Sequence, residues 1–192
     1  MRKTLLLAMA ALAALAFAGG CTNSQGTTES PVFITVNIEF QPGFVNIATP
    51  APVQVQTMTL QSHTKDPASV DTQGFSDVQV NNYTVTFRRT DGGTQVPPMQ
   101  SFGCGVLLPH DGTATLTDFP IMYATALQQS PLDQLLPFNG GIDRETGKSE
   151  IDMAFDITFF GTTASGKRVA SDTASGILTF DYAVAAPART AR

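Results

Sequence analysis

The sequence contains no tryptophan, only two cysteines and only two histidines in 192 residues. A structural zinc site takes four Cys, His or carboxylate ligands at readable spacing, and His63, His110, Cys21 and Cys104 are too scattered to provide them. Two cysteines also exclude a disulfide-rich scaffold. The sequence therefore predicts neither a metal ion nor any other cofactor.

Positive charge is scarce as well. The chain has eleven Lys and Arg residues against sixteen Asp and Glu, and two of the eleven, Arg2 and Lys3, stand at the extreme N-terminus. Nucleic-acid binding requires a basic patch, so this class of partner is excluded. With three tyrosines and no tryptophan, a sugar-stacking platform is also disfavoured, because the thirteen phenylalanines are expected in the core.

The one long apolar run is at the N-terminus. A short positive start, Met1-Arg2-Lys3, precedes the uninterrupted apolar stretch Leu5 to Ala18, and Gly19-Gly20-Cys21 follows. Charge, apolar stretch and small residues in this order indicate a secretory signal peptide, and the run is too short to span a bilayer. We interpret residues 1–20 as this signal peptide.

The cysteine directly after the small residues resembles the lipobox of bacterial lipoproteins. The resemblance implies that Cys21 is acylated, for example with palmitate, and becomes the N-terminus of a protein anchored in the cell envelope. Thr22 stands where an Asp would retain the protein at the inner membrane, so the resemblance points to the outer membrane. Ala18 departs from the family, which usually has a large aliphatic residue at that position.

A second interpretation of the leader stays open. Ala16-Phe17-Ala18 is a site for the ordinary signal peptidase, which would release a soluble chain that begins at Gly19. Cys21 could then pair with Cys104. If Cys21 is lipidated, Cys104 is instead a lone thiol that should be buried.

The rest of the chain divides into a tether, one domain and a tail. Residues 21–31 include ten consecutive residues, Thr22 to Pro31, without an apolar side chain, which predicts a flexible tether behind the anchor. Residues 185–192 have the same character. Residues 32–184 are enough for one domain with a sizeable core.

Alternation of apolar and polar residues predicts strands through this domain. It is clearest over residues 32–40, 151–159 and 178–184. Two further runs change phase, between Val55 and Met58 and between Val80 and Tyr83, which predicts bulges or breaks. Shorter strands are expected over 101–108 and 114–124. One short helix over Leu132 to Leu136 is expected, capped by Ser130 and begun by Pro131.

Seven or eight strands with almost no helix predict an all-β, antiparallel sandwich. The segment from Asn82 to Gly92 resembles the central strand and turn of a fibronectin type III domain, and the segment from Phe159 to Phe180 is similar to the closing strands of such domains. The resemblance implies an immunoglobulin-like or fibronectin III-like fold. The Cys, Trp and Cys signature of antibody domains is missing.

Two sets of residues have the composition of a catalytic site. Ser62, His63 and Asp66 are the residue types of a hydrolytic triad, but neighbours on a strand point to opposite faces. Cys104 has His110 and Asp111 downstream, but its neighbours are largely apolar, which favours a buried thiol over a nucleophile. An exported hydrolase or thiol enzyme that uses His63 or Cys104 is therefore the alternative hypothesis, and a non-enzymatic protein is the main one.

Two other features could bind something. The loop over residues 140–150 concentrates carboxylates that could surround a calcium ion and basic residues that could neutralise them, namely Asp143, Glu145, Glu150, Asp152, Arg144 and Lys148. Calcium-stabilised adhesion is thus a further alternative. Phe33 and Phe160 lie on the polar sides of their strands, where they could form a sticky patch or be buried on both sides.

We therefore expect a lipid-anchored envelope module that binds a partner or has a structural role. The partner would be another envelope protein, held by the loops at one end of the sandwich or by an exposed strand edge. The longest candidate loops are Gln61 to Gly74, Pro109 to Gly112 and Asn139 to Glu150.

Overall fold

The computed structural model describes residues 30–39, 43–68, 71 and 73–183. The predicted signal peptide, Cys21 with nearly all of its tether, and the C-terminal tail lie outside these residues. Nine strands lie in the described part: β1 (Val32–Glu39), β2 (Gly43–Asn46), β3 (Val53–Thr64), β4 (Val78–Arg89), β5 (Gln100–Leu108), β6 (Thr113–Met122), β7 (Glu150–Thr163), β8 (Arg168–Ala170) and β9 (Ala174–Asp181).

The strands form two sheets, so the predicted all-β, sandwich-like class is confirmed. The smaller sheet has the order β1-β3-β6, and the larger has the order β2-β9-β7-β4-β5, with β8 paired to β7. Nearly all neighbours are antiparallel, but β2 runs parallel to β9. The count of nine exceeds the expected seven or eight because β2 and β8 have only four and three residues, too few for alternation to be visible.

Aromatic rings from both sheets meet in the core. Tyr83 on β4 is fully buried and packs against Phe119 on β6, with ring centroids 4.6 Å apart, and against Phe159 on β7, at 5.1 Å. The Tyr83 hydroxyl donates a hydrogen bond to the carbonyl of Pro120 at 2.5 Å. Because β4 and β6 belong to different sheets, this side chain joins the two layers both by packing and by a hydrogen bond.

The phase changes of the sequence have structural counterparts. In β4 the register shifts between Val80 and Asn82 against both of its neighbours, which confirms the predicted bulge. The bulge or break predicted between Val55 and Met58 is wrong: β3 is continuous there and keeps its register against β6, which shifts only earlier, between Val53 and Gln54. Asp118 of β6 lies opposite the phase change of β3 and adopts a φ of 52°. The alternation of side chains therefore shifts at the same place in both strands, and the strands remain paired.

The predicted short helix is a single 3₁₀ turn, Leu132–Leu135, flanked by two others at Ala124–Gln128 and Pro137–Asn139. Ser130 does not cap it: Pro131 occupies the position before the turn, and no side chain caps the turn. Two prolines with five residues between them leave too little chain for α-helical hydrogen bonds. Within the described ranges, no helix is long and apolar enough to cross a membrane.

Candidate binding site

A cleft of about 380 Å³ lies on the outer face of the larger sheet, where β4, β7 and β8 run side by side. This volume is within the range of small-ligand sites. Eight residues line the cleft: Asn81, Asn82, Phe160, Gly161, Thr162, Arg168, Val169 and Ala170. We call this the β4–β7–β8 cleft.

The bulge of β4 builds one wall of the cleft. Val80 pairs with Gly161 and Asn82 pairs with Phe160, so Asn81 is an extra residue with no partner on β7. As a result Asn81 and Asn82 are both exposed, whereas regular alternation would turn one of them inward. Bulges commonly re-aim side chains at functional sites, and this one presents two adjacent amides.

Gly161 allows the backbones to come together at the bulge. A Cβ atom at this position would lie 2.7 Å from the carbonyl oxygen of Gln79 and 2.8 Å from a methyl group of Val78. Any larger residue would push β7 away from β4. On the other side of Asn82, its β5 partner Gly103 faces open space, so the outer face is bare there.

The lining combines one aromatic ring, two amides, one hydroxyl and one guanidinium. Phe160 is half-buried on this otherwise polar face, with Asn82 and Ala170 as its cross-strand neighbours. Thr162 pairs with Arg168, which is exposed. An apolar surface with a few convergent polar groups is the usual composition of a ligand site. Of the two phenylalanines noted as a patch, Phe160 therefore lines the cleft.

The charge of the cleft contrasts with that of the chain. Its lining contains Arg168 and no carboxylate, although acidic residues outnumber basic ones sixteen to eleven. Arg168 lies outside the ion pairs that Arg89 and His110 form among the residues that the structure describes. Its side chain is exposed to solvent at the rim of the cleft.

The structure does not bring the predicted hydrolytic residues together. Ser62 is buried in the core, and its hydroxyl has no hydrogen-bond partner among the described residues. His63 lies on the opposite face of β3, where it stacks on Phe33 with centroids 4.9 Å apart and its ring nitrogen contacts the Thr35 hydroxyl at 2.9 Å. Asp66 is exposed in the following loop. This separation follows from the alternation of side chains along a strand.

Cys104 is not arranged as a nucleophile either. It is half-buried on the inner side of β5, and burial raises the pKa of its thiol above the usual value. The histidine downstream, His110, instead contacts Asp111 at 3.4 Å and the Thr64 hydroxyl. A nucleophilic cysteine needs a lowered pKa and a base within reach, and Cys104 has neither among the described residues.

The acidic loop is organised around a basic residue from a distant strand. Arg89, at the end of β4, donates from Nε and Nη2 to both carboxylate oxygens of Asp91, at 2.7 and 2.8 Å. The same Nη2 also donates to Asp143 at 2.8 Å. The Arg89 side chain is 1% exposed, and those of Asp91 and Asp143 are fully buried.

Two other carboxylates of the calcium hypothesis have partners of their own, although Glu145 also lies 3.7 Å from Nη1 of Arg89. Glu145 accepts hydrogen bonds from the backbone N–H groups of Thr94 and Gln95, at 2.6 and 2.9 Å. Asp152 accepts one from Thr179 on β9 at 2.6 Å. The part of the chain that the structure describes has no group of three or more potential metal-ligating side chains. This arrangement favours an arginine-centred ion pair over a calcium site, and the neutralising residue is Arg89 rather than Arg144 or Lys148.

The pKa values of the buried carboxylates follow from Arg89. Burial opposes ionisation of Asp91, but hydrogen bonds from Arg89 and from the backbone N–H groups of Gly93 and Asp152 outweigh it and lower its pKa to about 2. For Asp143, burial is likewise outweighed, by hydrogen bonds from Arg89 and Thr146, and its pKa is lowered. Both carboxylates are therefore charged at neutral pH.

Comparison with family models, with curated proteins and with solved structures finds no match to this chain.

Sequence reasoning missed both Arg89 and the cleft as a whole. Arg89 sits 54 positions from Asp143, so nothing local connects the two. The cleft did have a local signal, because the phase change before Tyr83 marked the bulge and Phe160 stood on a polar face. Arg168 had none, since it stands in a strand of three residues.

We predict that Arg89→Met lowers the free energy of unfolding by about 3–5 kcal/mol, because two buried carboxylates lose their counter-charge. Arg88→Met is the matched control: Arg88 is the preceding residue but is exposed, and its replacement should cost less than about 0.5 kcal/mol. Urea unfolding of both variants measures the difference. Equal effects would show that the buried ion pairs contribute little.

We also predict an acid dependence that originates in these pairs. An Asp in an unfolded chain has a pKa of about 3.9, so a lowered folded pKa means that the unfolded state binds more protons. The contribution is complete above this value and is lost as the pH falls from about 4 towards 2.

Asp143→Asn should therefore flatten the fall in unfolding free energy over this range, compared with the unmodified chain. Asp156→Asn serves as control, because Asp156 hydrogen-bonds Ser175 on the sheet surface and does not contact Arg89. Urea unfolding at a series of pH values gives both slopes. A slope that Asp143→Asn leaves unchanged would exclude Asp143 as a source of the acid dependence.

For Cys104 we predict slow modification by a thiol reagent in the native protein and fast modification in denaturant. The raised pKa keeps the thiol protonated, and the reactive species is the thiolate. Cys104→Ser identifies any signal from Cys21. Rapid labelling of native Cys104 would revive the thiol-enzyme hypothesis.

Proposed function

We propose that this chain is a lipid-anchored, non-enzymatic binding module of the bacterial cell envelope. The observation that carries the proposal is the β4–β7–β8 cleft, which has the composition of a ligand site and no nucleophile or general base. The residues considered for catalysis, Ser62, His63 and Cys104, support the same conclusion, because none of them is assembled with a partner for chemistry.

The membrane attachment rests on the N-terminal sequence. Cys21 would carry the lipid, and the tether behind it would hold the domain about 15–20 Å from the anchor, by flexible-chain scaling over ten residues. Thr22 after the cysteine places the protein at the outer membrane in this proposal.

We further propose that the sandwich is immunoglobulin-like or fibronectin III-like. Its strand order supports this: β7 lies between β4 and β9 as strand F lies between C and G, and β3 lies between β1 and β6 as B lies between A and E. The segments that resembled a central strand and closing strands in the sequence are β4 and β7 with β9. The cleft would then lie on the outer face of the sheet that contains C, F and G.

A second contact surface is proposed at the free edge of β5, for another envelope protein. Within the described ranges β5 is hydrogen-bonded to β4 on one side and to no strand on the other. The edge of β1 is less open, because Asp172 accepts from the N–H of Val36 and donates its own N–H to Ile34. A partner strand would pair with the backbone of β5.

The experiment that tests the proposal is the intact mass of the mature protein extracted from membranes. We predict the mass of residues 21–192 plus acyl chains. Cys21→Ala should abolish both the acyl mass and recovery in the membrane fraction, while Cys104→Ser should change neither. A mass that corresponds to residues 19–192 without lipid would refute the anchored module.

A further inference from the structure

We propose that the β4–β7–β8 cleft binds a saccharide that carries a carboxylate, such as a uronic acid. This inference rests on the proposed function, since it names the ligand of the binding module.

Most of the backbone beneath the cleft is already hydrogen-bonded. β4 is paired on both sides, by β5 and β7, and over the cleft β7 is paired on both sides by β4 and β8. Backbone N–H and C=O groups used in these ladders are not available to a ligand, which leaves those of the bulged residue Asn81 and of β8, a strand that pairs with β7 on one side only among the described strands. Recognition must therefore come largely from side chains, which favours a ligand dense in its own donors and acceptors over one that needs a strand edge.

The polar side chains suit hydroxyl groups. Asn81 and Asn82 each present an amide with two donors and one acceptor oxygen, and Thr162 presents a hydroxyl that donates and accepts. Neighbouring hydroxyls of a sugar ring also donate and accept. Two amides fixed side by side by the bulge can therefore satisfy hydroxyls on adjacent carbons.

Phe160 provides the apolar part of such a site. A sugar ring has one face of C–H groups, and the partly exposed phenyl ring of Phe160, between Asn82 and Ala170, gives that face an apolar surface to cover. The absence of Trp and the shortage of Tyr disfavoured a sugar platform on the expectation that the phenylalanines lie in the core. Phe160 is only partly buried.

Arg168 adds a preference for an anion. It is exposed, lies outside the ion pairs of Arg89 and His110 in the described part of the chain, and is the only charged side chain among the lining residues. A guanidinium binds a carboxylate through two parallel hydrogen bonds, which adds both strength and orientation. In a chain with excess negative charge, an anionic ligand would be repelled elsewhere, so this cleft is the favourable place for it.

The test titrates the full mature chain with trigalacturonic acid and, separately, with its methyl ester, by calorimetry at low salt. The ester keeps every ring hydroxyl of the sugar and replaces each charged carboxylate with a neutral methyl ester. We expect the acid to bind at least about tenfold more tightly than the ester, the size of one charge-assisted hydrogen-bond pair. An acidic peptide, triglutamate, is titrated in parallel.

Three variants locate the binding. Arg168→Gln should weaken binding of the acid at least about tenfold and leave the ester unaffected. Arg88→Gln is the matched control, since it removes the same charge from an exposed position on the same sheet outside the cleft, and it should bind like the unmodified chain. Asn82→Ala should weaken both saccharides, because it removes a contact to hydroxyls.

Other results would overturn the inference. Equal binding of acid and ester would remove the carboxylate from the ligand class, and binding of triglutamate alone would replace the saccharide with a peptide. Equal losses of affinity for the acid in Arg168→Gln and Arg88→Gln would show that binding depends only on the overall charge of the protein. No binding of any probe to a chain whose mass shows the lipid anchor would refute this ligand class while the anchor stands. An unlipidated mass would refute the proposed function independently.

Discussion

The buried ion pairs of Arg89 with Asp91 and Asp143 hold one end of the sandwich together. A buried guanidinium is costly unless its hydrogen bonds are made, and this one is held by Asp91 and Asp143, which are buried with it. Asp91 belongs to the turn after β4, whereas Asp143 belongs to the long loop before β7. The ion pairs therefore fix the loop before β7 against the end of the sandwich. A loop that is held in this way is a poor candidate for a mobile binding loop.

Strand β4 has different roles at its two ends. At its C-terminal end β4 carries Arg89, which closes the domain; near its N-terminal end it carries the bulge at Asn81, which opens the cleft. Between these two ends of β4, Tyr83 packs against Phe119 of β6 and Phe159 of β7 and holds the two sheets together. A bulge interrupts a hydrogen-bonded ladder, and here the interruption lies next to two fully buried aromatic residues of the core, Tyr83 and Phe159. The packing of these aromatic residues thus stabilises the bulged part of β4.

The sequence was informative where the cause of structure is local. Alternation predicted the long strands, and the phase change before Tyr83 predicted the bulge, because side-chain direction is set residue by residue. It was uninformative where the cause is a distant contact. The carboxylates of the acidic loop were noticed, but their counter-charge comes from a strand 54 positions earlier. Strands of three or four residues, β8 and β2, also carry too few positions for a pattern, and Arg168 was missed with β8.

The two arginines show how burial divides structural from binding roles. Arg89 and Arg168 are chemically identical, but the first is neutralised by carboxylates inside the protein, while the second faces solvent, outside the ion pairs of Arg89 and His110 in the described part of the chain. Replacing a buried, paired group destabilises the fold, whereas replacing an exposed group on the sheet changes mainly what the sheet can bind. The exposed side chains of the cleft can therefore vary with little effect on the ladder, whereas Gly161, which also lines the cleft, has no room for a Cβ atom. In the proposed site, the identity of the ligand would depend on a few exposed positions, among them Asn81, Asn82 and Arg168.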